Sequence, residues 1–100
     1  MPIVVVVRYV AQPGRALDAL ASVRALVATV LATEPACEGI QILQALDTPE
    51  SITLIVRWPD QPTFLGPHMQ QPHIQAFIQS AGAFLAGPPD ISFHSIAGAA

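Results

Sequence analysis

Two β-branched runs constrain this chain more than any other feature. Ile3 to Val10 contains four consecutive valines, and Ile52 to Trp58 reads ITLIVRW. Side chains branched at Cβ are stiff in a helix but pack well on a pleated surface, so both runs are predicted strands. Successive side chains in a strand point to opposite faces. Here both parities are apolar, which calls for cover on both faces. Arg8 and Tyr9 are the exceptions, near the far end of the first run. Gln12-Pro13-Gly14 breaks that run, and Pro59-Asp60 ends the other because proline has no N–H to give a ladder.

Between the two runs the apolar period changes. Leu17, Leu20, Val23, Val27, Val30 and Leu31 recur at three and four, predicting a helix from Arg15 to Thr33. Glu34-Pro35 stops it, since the residue before proline avoids the helical region. Gly39 to Leu46 is a further strand, whose polar intrusions mark a sheet edge, and Asp47-Thr48-Pro49-Glu50 turns the chain into Ile52 to Trp58. After Trp58 the pattern is a broken helix. Gly66-Pro67 interrupts a segment that would otherwise run from Pro62 to Met69, and a second helix starts near Pro72. Ile74, Phe77, Ile78, Ala81 and Leu85 form its apolar face, and Gly87-Pro88-Pro89 ends it. Ile91 to Ile96 is the last strand, followed by a frayed tail at Gly98-Ala99-Ala100.

The order βαββαβ is α+β and ferredoxin-like: two crossover helices over one face of a four-stranded antiparallel sheet, in one domain spanning residues 1–100. The first and third strands, being the most continuously apolar, are expected at the centre. No element remains for the sheet's other face, so a second copy of the sheet is its natural cover and a homodimer is expected. Composition points the same way: 52% of residues are hydrophobic and only 11% charged, against roughly 25% charged in an average soluble domain.

Charge excludes nucleic acid as a partner. The chain has no lysine, and its four arginines (Arg8, Arg15, Arg24, Arg57) are scattered and outnumbered by seven acids, whereas phosphate binding needs a basic stripe. Ile3 to Val7 is far shorter than the ~20 residues that cross a bilayer, and no charged leader with a cleavage site precedes it, so neither membrane span nor signal peptide is expected. A single cysteine, Cys37, fits a reducing, cytoplasmic setting.

Glu34-Pro35, Cys37, Gly39, Trp58, Asp60, His68, Pro72-His73 and Ala76-Phe77 together resemble the antibiotic biosynthesis monooxygenase family. The run Leu85-Ala86-Gly87-Pro88-Pro89 resembles that family's last helix-to-strand turn. The resemblance covers nearly the whole chain and is more specific for fold than for reaction. It implies a dimeric α+β barrel, with a pocket between sheet and helices walled by the residue at Trp58. Two departures stand out. Oxygen-using members carry an asparagine on the first strand or just before the tryptophan, and this chain has none; Gln41 or Gln44 is a substitute on a different strand. Haem-degrading relatives carry an iron-binding histidine where this chain reads Ala76-Phe77-Ile78-Gln79, so haem degradation is not expected.

Chemistry is expected from few residues. Trp58 shares the parity of Ile52, Leu54 and Val56, as a core aromatic or a pocket wall. Arg57, on the opposite parity, is placed to pair with an acid across a dimer. Arg8 and Tyr9 point to opposite faces, so one of them reaches the pocket, which Phe64 and Phe77 also line. His68 is the candidate acid/base, because histidine side chains titrate near neutrality in water. His73 helps begin the helix at Pro72, and His94 is solvated on an edge. No metal is expected, since no carboxylate or cysteine lies at ligand spacing beside these histidines. Cys37 lacks a base and reads as a small buried hydrophobe. No cofactor is expected either, there being no dinucleotide fingerprint, phosphate loop or Ser/His/Asp set.

Two functions fit these residues. One is a cofactor-independent monooxygenase oxidising a small aromatic such as a quinol, anthrone or polycyclic phenol, with His68 and Trp58 catalytic and Arg8, Tyr9, Phe64 and Phe77 binding substrate. The other is a non-catalytic dimeric binder of a small apolar ligand in the same pocket. Oxygen uptake separates them.

Overall fold

A computed structural model describes residues 2–99. The elements are β1 (Ile3–Val10), α1 (Ala16–Thr33), β2 (Gly39–Gln44), β3 (Ser51–Trp58), α2 (Gln61–Leu65), α3 (Pro72–Ser80) and β4 (Asp90–Ser95), with 3-10 turns at His68–Gln70 and Ala81–Ala83. All strand pairs are antiparallel, in the order β2-β3-β1-β4. The architecture is the expected ferredoxin-like α+β fold, with the two β-branched runs at its centre. The chain from Gly98 onward forms no regular element, and Ala100 lies outside the described residues.

Register divides the sheet into two faces. Val5 pairs with Val56, Val7 with Leu54 and Tyr9 with Ile52, and all six are buried beneath the helices. The other parity carries Val4, Val6, Arg8 and Val10 opposite Arg57, Ile55, Thr53 and Ser51. Within the chain this face is only half-covered. The expectation of cover on both faces of β1 is therefore met on one side only.

Local chemistry sets the helix ends. Gly14 turns the chain at φ 77°, in the left-handed region that favours glycine. Arg15, just before α1, pairs with Asp18 in its first turn at 2.8 Å. At the other end the Glu34 backbone N–H still reaches Val30 O, and Pro35 prevents a further turn. Asp60 caps α2, accepting from the Thr63 N–H at 2.8 Å and the Thr63 hydroxyl at 2.6 Å. Those two bonds hold the Asp60 carboxyl below its ordinary range.

The stripe of α1 differs from the predicted one. Ala19, Val23, Val27 and Val30 are buried, whereas Leu17 is 82% exposed and Leu31 half-exposed. The i, i+4, i+8, i+11 row through alanine lies closest to the sheet, and the larger leucines flank it. By length and composition α1 could also cross a membrane, with mean hydropathy 1.6. Within the chain 22% of that helix is buried, along the row that packs into the core. The helix at Pro72 is shorter than expected, because it passes into the 3-10 turn at Ala81–Ala83. Backbone bonds from Ala86 N–H to Val10 O and from Gln12 N–H to Phe84 O then tie this end of the chain to β1. The Gln12 side chain adds bonds to Gly82 O at 2.8 Å and Leu85 O at 3.1 Å.

Candidate functional site

Between the sheet and helices α1 and α3 lies a cavity of about 610 Å³. Its floor is the buried parity of the central strands, including Val7, Tyr9, Leu54, Val56 and Trp58. Leu26, Val27 and Val30 of α1 form one wall, and Ile74, Phe77 and Ile78 of α3 another. Phe64, His68 and Met69 close one end, and the Gly87-Pro88-Pro89 turn lies at the other. The volume falls in the usual range for small-molecule sites, and the lining is almost wholly apolar.

Aromatic packing locates His68. Its ring lies 4.6 Å from that of Trp58 and 4.8 Å from that of Phe64, centroid to centroid. Trp58 and Phe64 meet edge to face at 5.7 Å, and Phe64 meets Phe93 in the same way. The imidazole thus packs against both aromatic rings, tilted to each. Trp58 is 1% exposed, and its indole N–H meets no acceptor among the described residues. A buried orphan donor of this kind costs about 1–3 kcal/mol.

Glu34 is the residue that sequence reasoning missed. It follows the last turn of α1, is 7% exposed, and spreads its carboxylate between two histidines. His68 Nδ1 lies 2.9 Å from Oε1, and His73 Nε2 lies 2.6 Å from Oε2. An ionised carboxylate only accepts hydrogen bonds, so each of these ring nitrogens carries the hydrogen and donates it. That assignment points the Nδ1 hydrogen at Glu34 and leaves Nε2 as the ring nitrogen without a hydrogen bond among the described residues. A signal for Glu34 was present in the sequence. An acid at a helix C-terminus sits against the negative end of the dipole, and such a placement calls for a cationic or hydrogen-bonding partner. The two histidines bind opposite oxygens of one carboxylate and do not converge on a point. Among the described residues, no three His, Cys, Asp or Glu side chains are arranged around a metal position.

The other predicted residues divide cleanly. Tyr9 lines the cavity, whereas Arg8 is exposed on the opposite sheet face, where it pairs in register with Asp90. Arg8 therefore leaves the set of cavity residues, as strand alternation demands once Tyr9 points inward. The Tyr9 hydroxyl makes no hydrogen bond among the described residues, and burial pushes its pKa up to about 12. It is a neutral O–H donor at physiological pH. Phe64 and Phe77 both line the cavity, and Phe77 meets Tyr9 edge to face at 5.7 Å. Gln41 and Gln44 are exposed and line nothing; Gln44 instead donates to Pro49 O. His73 begins α3 as expected, but its ring serves Glu34. His94 is exposed on β4 beside Ser92, and Arg57 is exposed on the outer face with no ion pair among the described residues. Burial pushes the Cys37 thiol up, which leaves it a poor nucleophile.

The family model described as antibiotic biosynthesis monooxygenase matches residues 2–80, which include β1, α1, the Glu34 bridge, Trp58, His68 and His73. The chain belongs to this family. Its fold recurs in a Pseudomonas aeruginosa protein at 25% identity and TM-score 0.83, covering 96% of this chain and 95% of that one. A Bordetella bronchiseptica protein, named as a candidate antibiotic biosynthesis monooxygenase, matches at 22% identity and TM-score 0.82, with 94% and 95% covered. A conserved protein of Methanosarcina mazei matches at 21% identity and TM-score 0.81, with 94% and 91% covered. No curated protein matches the sequence significantly. Membership of the antibiotic biosynthesis monooxygenases supports a monooxygenase-type role.

Proposed function

We infer that this protein is a cofactor-independent monooxygenase acting on a small aromatic that ionises at oxygen or at an adjacent carbon, such as an anthrone, quinol or polycyclic phenol. One observation carries the reading. An imidazole oriented by a buried carboxylate borders an apolar cavity of about 610 Å³, with its Nε2 not engaged by protein. A flat aromatic would gain its affinity from the apolar walls, with Phe64, Phe77 and the Trp58 ring as the aromatic ones.

In this mechanism His68 Nε2 takes the substrate's proton, forming an N–H bond as the substrate's O–H or C–H bond breaks. Glu34 stabilises the imidazolium, a role that carboxylates commonly play beside catalytic histidines. The Tyr9 hydroxyl, kept protonated by burial, donates to the developing oxyanion. One such donor is commonly worth about 3 kcal/mol, or ~10²-fold in rate. The anion passes an electron to dioxygen, the two radicals combine to a peroxide anion, and that anion takes the proton back from His68 to become the hydroperoxide. For an anthrone, loss of water then yields the quinone: substrate plus O₂ gives quinone plus H₂O. In this reading Tyr9, not Gln41 or Gln44, takes the place of the missing asparagine.

The reading includes a homodimer built through the outer sheet face. Val4, Val6, Leu43 and Ile55 share that face; in the single chain the first two and Ile55 are partly exposed and Leu43 is about half-exposed. Apolar area buried there stabilises at about 25 cal/mol per Å². Sedimentation at micromolar concentration should give a dimer, and a stable monomer would remove this part of the reading.

The test is an oxygen-electrode screen of anthrones, naphthols and quinols. Wild type should consume oxygen with at least one of them, and His68→Ala should lose about 10²-fold or more in kcat while still binding ligand. Tight binding without oxygen uptake would replace the oxygenase by a binder of small apolar ligands.

A further inference from the structure

Orienting one imidazole needs one carboxylate oxygen. Glu34 offers its second oxygen to another histidine, and that histidine is placed differently. His68 borders the cavity, whereas His73 borders a shallow surface depression with Ser22, Thr29 and Ser80. Its side chain is 17% exposed against 9% for that of His68. The bridge therefore runs from the cavity lining to the protein surface in three side chains, through contacts of 2.9 and 2.6 Å.

Charge makes this arrangement more than a clamp. A buried carboxylate is costly without a positive partner, and two positive partners on one carboxylate leave a net buried charge. The single negative charge of Glu34 is matched by one imidazolium, which either histidine can supply. His73, the more exposed ring, is the member placed to exchange a proton with solvent, and His68 the member placed to accept one from the cavity at Nε2. The other ionisable neighbours do not alter this count. Burial, opposed in part by a backbone hydrogen bond at Gly39 and reinforced by the charges of Glu34 and Glu38, raises the Cys37 thiol, which stays neutral. No lysine or arginine bonds to Glu34 among the described residues.

We propose that Glu34 couples the two histidines as a proton-exchange relay, so that a proton taken from a cavity ligand by His68 is matched by release of a different proton from His73 to solvent. In the step, the ligand's O–H or C–H bond breaks and an N–H bond forms at His68 Nε2. An N–H bond of His73 breaks and its proton passes to water or buffer. The positive charge thereby moves from His73 to His68, the Glu34 carboxylate keeps one imidazolium partner throughout, and no proton crosses the carboxylate. When His68 later gives its proton up, His73 recovers one from solvent. The relay lets an apolar cavity form an anion without storing a second positive charge, and it makes His73 and Glu34 positioning residues for the base. The proposal rests on the reading of His68 as a base for a cavity ligand, but not on dioxygen.

The experiment is anaerobic. Anthrone is mixed with protein in weakly buffered solution near neutral pH, following anthrone anion absorbance together with a pH indicator dye. Wild type should release about one proton to solvent per anion formed, and His73→Gln should form little anion near neutral pH, because His68, left as Glu34's one histidine partner, is then itself the imidazolium and has no lone pair at Nε2 to take a proton. A merely structural His73 would leave anion formation unchanged. Imidazole nitrogen NMR shifts of wild type give a measurement independent of any variant's folding: on anthrone binding His73 should change from imidazolium to neutral as His68 changes the other way. Equal anion formation by both proteins, an unchanged His73 signal, or no anion in wild type would each overturn the relay. Oxygen uptake by the same wild-type sample is scored separately. Anion formation with matched proton release but no uptake supports the relay and removes the oxygenase reading.

Discussion

Replacing Glu34 by alanine is the sharpest perturbation of this structure. Its carboxylate is 7% exposed and accepts from both imidazoles. Truncation leaves the His68 Nδ1 donor without a partner in the core, at about 1–3 kcal/mol. His73 is less buried and can turn to water, so its loss is smaller. Breaking a buried charged pair by removing one member typically costs about 3–5 kcal/mol, and partial access at His73 puts this case near the lower end, about 3 kcal/mol. For a domain of this size each kcal/mol lowers the melting temperature by about 4–8 °C, so the expected fall is about 15 °C. The control is Asp18→Ala, which breaks the 2.8 Å pair with Arg15. Those side chains are 45% and 62% exposed, and such surface pairs contribute under about 1 kcal/mol. Thermal melts by circular dichroism, run at equal protein concentration, compare the two variants. If Glu34→Ala melts no lower than Asp18→Ala, the carboxylate bridge does not stabilise the fold and the energetic argument fails.

Three more outcomes follow from other parts of the molecule. Tyr9 is neutral when folded up to about pH 12 but ionises near 10 in the unfolded chain, so its contribution is fully present below about pH 10 and is lost as pH rises through about 12, about 3 kcal/mol in all. Urea titrations near pH 11 should show wild type losing about 1 kcal/mol more than Tyr9→Phe, relative to neutral pH, and parallel pH curves for the two would contradict this. Ile78 lines the cavity while being half-exposed; Ile78→Trp should weaken anthrone binding about tenfold or more with little change in melting, as read by fluorescence titration, because the new ring occupies ligand space without entering the core. Gln12→Ala removes both side-chain bonds to the Gly82–Leu85 turn and should cost about 1–2 kcal/mol, with faster amide exchange at Phe84 and Leu85 as the local readout.

How far the sequence determined this protein can be seen residue by residue. The valines of β1 and the ITLIVRW run specified central strands, because β-branching and two-sided apolarity leave little else for them to be. Proline and glycine placed the breaks at Gln12-Pro13-Gly14, Glu34-Pro35 and Gly66-Pro67, since their backbone restrictions act locally and need no tertiary context. The element order followed, and the cavity aromatics Trp58, Phe64 and Phe77 with it. Other features were decided only when the chain closed. Which of Arg8 and Tyr9 faces inward depends on where the helices lie, and alternation alone gives no sign to the two faces of a strand. The buried row of α1 runs through Ala19 and not Leu17, because the distance between helix and sheet, not hydrophobicity alone, selects the face. Above all, Glu34 meets His68 and His73 across 34 and 39 residues of chain. No local spacing encodes that meeting, which arises when the end of α1 is carried over the sheet to the start of α3. The site is therefore a product of the crossover geometry, and its ingredients were legible in the sequence while their arrangement was not.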